Sequence, residues 1–277
     1  MSTVFHPAGS DVELVVHDHG GGMPVFLQHG LGGGEAQVAQ VFPDGGHWRR
    51  ITTECRGHGA STLGTARPFS IAMLAGDIIA VADQLGIDRF VAGGISMGAA
   101  IALHLSKACP ERVAGLILVR PAWAFEPAPE NMRPIREVAE LIKSHPLHEA
   151  RTIFEQSETA ARLRVEAPDN LASLLSYFDR TDISAFANVL ADMAADRTGV
   201  SEDDAARFNV PALVIGNRQD AVHPMATAEH LANAIPGARF VEAPAKATDA
   251  AAHFASARTA IHHFLTTQFN HRSLAAS

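Results

Sequence analysis

The chain has 277 residues, 47% of them hydrophobic and 19% charged, with a formal net charge of -8. This is enough apolar material for one large α/β domain carrying an inserted lid, and an acidic balance with no basic stripe excludes nucleic acid as the main partner. Two cysteines, Cys55 and Cys109, make no disulfide framework and fit a reducing cytoplasm, and no apolar run approaches the roughly 18 residues of a membrane span.

The opening Met1-Ser-Thr-Val-Phe-His6 has no basic region followed by an apolar core, so no secretory signal is expected. Val12 to His17 reads as a strand, with a turn at Gly20 to Gly22. Pro24 to His29 is a second strand, short and apolar as a buried strand should be. It runs into His29-Gly-Leu-Gly-Gly-Gly34, a loop whose backbone can approach a ligand closely. Trp48 to Cys55 is a third strand, followed by Arg56-Gly-His-Gly-Ala-Ser61. Ser70 to Leu85 has helical spacing, with Ile71, Leu74, Ile78, Val81 and Leu85 on one face and Gly86 as its C-cap.

The central stretch is Val91-Ala-Gly-Gly-Ile-Ser-Met-Gly-Ala-Ala100. An apolar strand meets two glycines, then Ser96 inside Gly94-Ile-Ser-Met-Gly98, then a run of helix formers from Ala99 to Leu105. Strand, tight turn, serine and helix is the order that a nucleophile elbow needs. The Met97 amide, at the helix start, would point where an oxyanion forms.

Arg112 to Val119 is the next strand, ending at Arg120-Pro121. Composition then shifts. Pro121 to Pro134 is proline-rich and holds Trp123 and Phe125, and Ile135 to Arg197 is helical throughout, with breaks near Pro146, Pro168 and Asp182. Alternation resumes with a strand at Val210 to Gly216, a helix at Met225 to Ile235, a strand at Ala238 to Glu242 and a last helix at Ala252 to Phe269. The tail Asn270 to Ser277 is polar and expected to fray. Strands alternating with helices predict a mostly parallel sheet covered on both faces. Residues 1–120 and 201–277 then form the core, and 121–200 form a helical cap over the strands' C-terminal ends.

Four motifs in this order resemble the α/β-hydrolase superfamily in its form with a helical cap, over about Val12 to Leu265. They are His29-Gly30-Leu31, Glu54-Cys-Arg-Gly-His-Gly-Ala-Ser61 (with Glu54 where the family has Asp), Gly94-Ile-Ser-Met-Gly98, and Gly216-Asn-Arg-Gln-Asp220 followed by Pro224. The resemblance implies that Ser96 attacks a carbonyl carbon, with the amides of Leu31 and Met97 as oxyanion donors and Asp220 as the acid. Asp220 alone also reads as a turn or helix-cap aspartate. The family's alternative acid position, after the preceding strand, holds Arg120. His29, and His58 beside Arg56, are expected to brace the loops.

A serine needs a base, normally a histidine held in one tautomer by a carboxylate. The family's usual Gly-His after the last strand is absent: the region reads Glu242-Ala-Pro-Ala-Lys-Ala-Thr-Asp249. The expected base is therefore His253, delivered by a long loop, with His223 as the second candidate and Lys246 as the residue to test after both. Arg120 is expected either to hold a substrate carboxylate or to pair with Glu126 or Glu130 of the cap. Trp123 is expected to line the pocket or to belong to the core. Neither H-E-x-x-H nor C-x-x-C occurs, and Gly32 to Gly34 lack P-loop or Rossmann spacing, so no metal, nucleotide or other cofactor is expected.

The expected activity is hydrolysis of a small carboxylic ester, lactone or related activated carbonyl through an acyl-serine, on a small and possibly anionic substrate. Acyl transfer, carbon–carbon hydrolysis and perhydrolysis share the same scaffold, and a non-catalytic ligand-binding protein is the reading from a different class.

Overall fold

A computed structural model describes residues 2–269; the tail reading at 270–277 lies outside them. The strands are β1 (Ser2–Phe5), β2 (Leu14–Gly20), β3 (Met23–Gln28), β4 (Trp48–Thr53), β5 (Phe90–Ile95), β6 (Val113–Val119), β7 (Ala212–Asn217) and β8 (Arg239–Ala243). The helices are α1 (Glu35–Val41), α2 (Ile71–Gln84), α3 (Met97–Ala108), α4 (Arg133–Ser144), α5 (Leu147–Glu155), α6 (Glu158–Glu166), α7 (Pro168–Ser176), α8 (Ile183–Ala195), α9 (Glu202–Ala205), α10 (Met225–Ala234) and α11 (Ala250–Gln268). The described strands make one sheet in the order β1-β2-β4-β3-β5-β6-β7-β8. The β1–β2 and β2–β4 pairs are antiparallel and the others parallel.

Period-two alternation sorts the central strands onto two cores. Phe26, Phe90, Ala92, Leu116, Leu118 and Val214 face the larger one, shared with α2, α3 and the helices between β6 and β7. Val25, Leu27, Val91, Ile117, Val119, Leu213 and Ile215 face the other, closed by α1 and α11. The strands carry apolar side chains toward both faces, as a doubly covered parallel sheet requires.

Helices α4 to α8 form a helical insert between β6 and β7, and their breaks follow local chemistry. Pro146 precedes α5, Pro168 opens α7, where a missing amide costs nothing, and Asp182 precedes α8. A further break, at Ser157, was not expected. The Ser157 side chain accepts the Ala160 amide and starts α6. Three elements escape the periodicity reading, one of them the four-residue α9. β1 is a four-residue edge strand whose first three residues are exposed, and α1 is a seven-residue helix burying only Val38 and Val41.

Six parallel strands point the same way, so the loops after β3, β4, β5, β6, β7 and β8 gather at one edge. The tightest approach there is between α3 and β3. A Cβ on Gly98 would lie 2.3 Å from the Gln28 carbonyl oxygen, and one on Gly94 would lie 2.6 Å from Gly98 Cα. Both obstacles are backbone, which cannot swing aside as a side chain would. Among the described residues no helix is long and apolar enough to cross a membrane.

Gly98→Ala should therefore force α3 off the sheet and destabilise the protein by about 1–3 kcal/mol, the usual cost of overpacking. A lowered urea midpoint at unchanged slope is the expected result.

Candidate active site

Ser96 sits between β5 and α3 with φ 55° and ψ -106°, a left-handed backbone that costs a non-glycine residue on the order of 1–3 kcal/mol. The surroundings impose it. The Ser96 amide donates to the Val119 carbonyl at 2.9 Å, as if β5 continued, while the Ser96 carbonyl already accepts from Ala99 and Ala100 of α3. The chain must turn within one residue, and this presents the hydroxyl at the strand end. Ser96 is 7% exposed, and among the described residues its Oγ has no hydrogen-bond partner.

The loop after β3 is fixed from several sides. The Gly30 amide donates to Gln37 Oε1 at 2.7 Å, the His29 Nδ1–H to the Gly30 carbonyl at 2.8 Å, and the Tyr177 hydroxyl to the Leu31 carbonyl at 3.1 Å. Gly32 has φ 77°, and a Cβ there would lie 2.5 Å from the Tyr177 ring. Among the described residues the amides of Leu31 and Met97 have no acceptor, which leaves both available to an oxyanion.

His29 Nε2 accepts the Cys55 amide at 3.0 Å, so the ring is neutral with its proton on Nδ1. His58 lies against it at 4.9 Å between centroids, donates from Nδ1 to the Arg56 carbonyl at 2.9 Å and leaves its buried Nε2 without a partner. Burial pushes both rings below the ordinary histidine range, His58 furthest because His29 faces it. Beside them Arg56 pairs bidentately with Asp77, both bonds at 2.7 Å. Glu54, in the aspartate's place, accepts the Ala60 amide at 2.7 Å.

Asp220 follows β7. Its Oδ1 accepts the His223 amide at 3.0 Å and the His223 Nδ1–H at 2.8 Å. Its Oδ2 accepts Arg120 Nε at 2.7 Å, and Arg120 Nη2 contacts the same oxygen. Asp220 is thus a turn aspartate and a histidine partner at once. Burial alone would raise its carboxyl, but the charges and hydrogen bonds of His223 and Arg120 hold it well below the usual carboxylate range. With Nδ1 donating, His223 keeps a lone pair on Nε2 whenever the ring is neutral, and its ring lines the same cavity as Ser96. No hydrogen bond joins Ser96 Oγ to His223, a gap common before substrate is bound.

Among the described residues His253 makes no hydrogen bond to Asp220 or Ser96, against the expectation that it touches both. The Asp249 side chain accepts the Ala252 amide at 2.9 Å and starts α11 at Ala250. This places His253 in the first helical turn rather than on a free loop. Its ring is buried, with Nδ1 donating to the Pro244 carbonyl at 2.9 Å. Arg120 lines the Ser96 cavity, and its ion pair to the insert is made with a different partner from those expected. It is spent on Asp220 and, through Nη2 at 3.2 Å, on Asp169 of α7 rather than on Glu126 or Glu130. Trp123 is fully buried in the larger core and does not line the Ser96 cavity.

The insert closes the site. Asn170 Oδ1 accepts the amides of Ala221 at 2.7 Å and Val222 at 3.0 Å, and Asn131 Nδ2 donates to the Val222 carbonyl at 2.7 Å. The acid loop therefore hangs from the helical insert. Sequence reading missed Asp169, Asn170 and Tyr177, because their roles depend on how the insert docks. Among the described residues no group of three or more His, Cys, Asp or Glu could hold a metal ion. The cavity over Ser96 measures about 80 Å³ and is walled by Leu31, Met132, Leu174, Tyr177, His223 and Lys246 among others.

This fold, with a serine elbow at the C-terminal edge of the sheet, defines a class, and the sequence pattern of the alpha/beta hydrolase fold matches residues 23–250. The chain belongs to the α/β-hydrolase family. It is 28% identical over 229 residues to RutD of Klebsiella pneumoniae, assigned as a carbamate hydrolase, spanning 79% of this chain and 82% of that one. Among solved structures it is similar to an enol-lactonase from Burkholderia xenovorans, with 26% identity, a TM-score of 0.69 and coverage of 94% and 99%. A thermophilic esterase from Thermogutta terrifontis shares the fold at a TM-score of 0.74 and 24% identity, with coverage of 97% and 99%.

The buried histidine pair generates a pH dependence. A group whose folded pKa lies below its unfolded value binds more protons when unfolded. Its contribution is present above the ordinary histidine value of 6.5 and is lost as pH falls below it. Thermal stability should therefore fall from pH 7 to pH 5. His58→Asn should flatten that slope by up to about 1.4 kcal/mol per pH unit. An unchanged slope would mean that His58 does not stay neutral in the folded protein.

Proposed function

We propose that the protein hydrolyses a small ester, lactone or related activated carbonyl through an acyl-serine, with Ser96 as nucleophile, His223 as base and Asp220 as the acid that orients it. One observation carries the reading: Ser96 stands in a strained elbow and shares its cavity with a histidine whose Nδ1 is held by a buried carboxylate. The relatives' names, carbamate hydrolase and enol-lactonase, support it, since both denote cleavage at an acyl carbon bearing a heteroatom.

In this mechanism Ser96 Oγ attacks the carbonyl carbon and its proton passes to His223 Nε2. The carbonyl oxygen becomes an oxyanion facing the amides of Leu31 and Met97; each such donor is worth about 3 kcal/mol of barrier. Asp220, anionic throughout, stabilises the imidazolium. Collapse expels the alcohol or amine, which takes the proton from Nε2. Water then attacks the acyl-serine by the same route, the carboxylic acid leaves, and Ser96 regains its proton. Arg120 neutralises the second oxygen of Asp220 and so directs the first one to His223.

Ser96→Ala and His223→Ala should each lower kcat on a short p-nitrophenyl ester by several orders of magnitude, on the scale of about 10⁶ seen when a triad member is removed. His253→Ala should keep most of the activity. The reverse outcome, with His223→Ala active and His253→Ala dead, would reduce the Asp220–His223 contact to a turn and return the base to α11. A serine-directed phosphonate should label Ser96 alone.

A further inference from the structure

Resting on the acyl-serine reading of this cavity, we propose that Lys246 selects the substrate. The substrate is then a short ester, lactone or carbamate that also bears a carboxylate, paired with Lys246 Nζ.

Among the described residues that line the cavity are two basic side chains, Arg120 and Lys246, and no carboxylate. The two cations are not equivalent. Arg120 has its Nε and Nη2 committed to Asp220 and Asp169 and is only 8% exposed at its side chain. Among the described residues Lys246 Nζ has one hydrogen-bond partner, Asp169 Oδ2 at 3.4 Å. That is long beside the ordinary 2.7–2.9 Å of a charge-assisted bond, and the oxygen it meets already accepts from Arg120. An ammonium has three donors, so most of the capacity of Lys246 is directed at no protein group.

Lys246 reaches the cavity from its loop and is tied to the insert by one long ion pair. It lies on the loop between β8 and α11, in the stretch where the sequence lacks a histidine, and its side chain is 25% exposed. Here a lysine stem runs to the reaction cavity rather than to open solvent, where its charge would be hydrated at no cost. The cavity's size sharpens the consequence. Ser96 and Lys246 line the same small cavity, so a compact anionic group beside the reacting carbonyl is on the side chain's own ground. Asp169 can yield the lysine to such a ligand without being stranded, since Arg120 still holds it. The first turns of α3 and α7 add the positive ends of two helix dipoles at this edge, with Asn170 and Ser173 of α7 in the wall.

The test uses binding without turnover. In a Ser96→Ala background, calorimetry would compare monomethyl malonate with methyl acetoacetate, its neutral analogue of nearly equal shape. The anionic ligand should bind more tightly, by about tenfold or more for one charge-assisted contact. Adding Lys246→Met should collapse that ratio toward one, whereas Lys246→Arg, which keeps the charge, should preserve much of it. Thermal midpoints of the variants identify any that fail to fold. Equal affinity for the two ligands, no measurable binding of either, or a preference that survives Lys246→Met would each overturn the proposal. Because no bond is cleaved, these outcomes are independent of the nucleophile's identity, which the Ser96 and His223 variants test separately.

Discussion

One buried guanidinium holds the site together. Arg120 leaves β6 with φ 47° and its amide on the Ile215 carbonyl, so its side chain turns across the sheet's edge toward the next loop. There it joins Asp220, which belongs to the core, to Asp169, which belongs to the insert. Three charges with almost no solvent are costly unless each is met, and here each is met by another. The arrangement cannot be dismantled one residue at a time. Without Arg120, Asp220 would keep only His223 and Asp169 only its long contact to Lys246, and without Asp220, the arginine and His223 would lose their common partner.

The second constraint is steric. Gly94 and Gly98 allow α3 to press on the Gln28 backbone, and this closeness forces the turn at Ser96. The strain stored in that residue is offset by the hydrogen bonds and core contacts of β5 and α3, two of the most buried elements of the chain. The geometry of the elbow and the packing of the core are therefore two descriptions of the same contacts, and a change that relaxes the packing would let the serine settle back into an ordinary turn.

The sheet and its helices were legible because their periodicities are strong: alternating or continuous apolar runs for β3, β5, β6 and β7, and a clear face on α2. The elbow was legible from its glycines. Residues whose role depends on one short-range competition were not. His253 was expected to reach Asp220 across a loop, but Asp249 caps α11 early and turns the ring onto Pro244. His223, the second candidate in the sequence, is joined to Asp220 by a turn in which one carboxylate oxygen takes both its amide and its ring, a geometry that a three-residue spacing does not announce. Asp169, Asn170 and Tyr177 carry no sequence signal, since nothing in a helical pattern says which of its polar residues will face the core after docking.

Asn170 has one further consequence. By accepting the amides of Ala221 and Val222, it makes the loop bearing Asp220 and His223 depend on the position of α7. The loop after β7 and the first turn of α7 are thereby one mechanical unit. On the proposed mechanism, anything that shifted α7 would loosen the acid and the base together, so the insert is a structural member of the site as well as its roof.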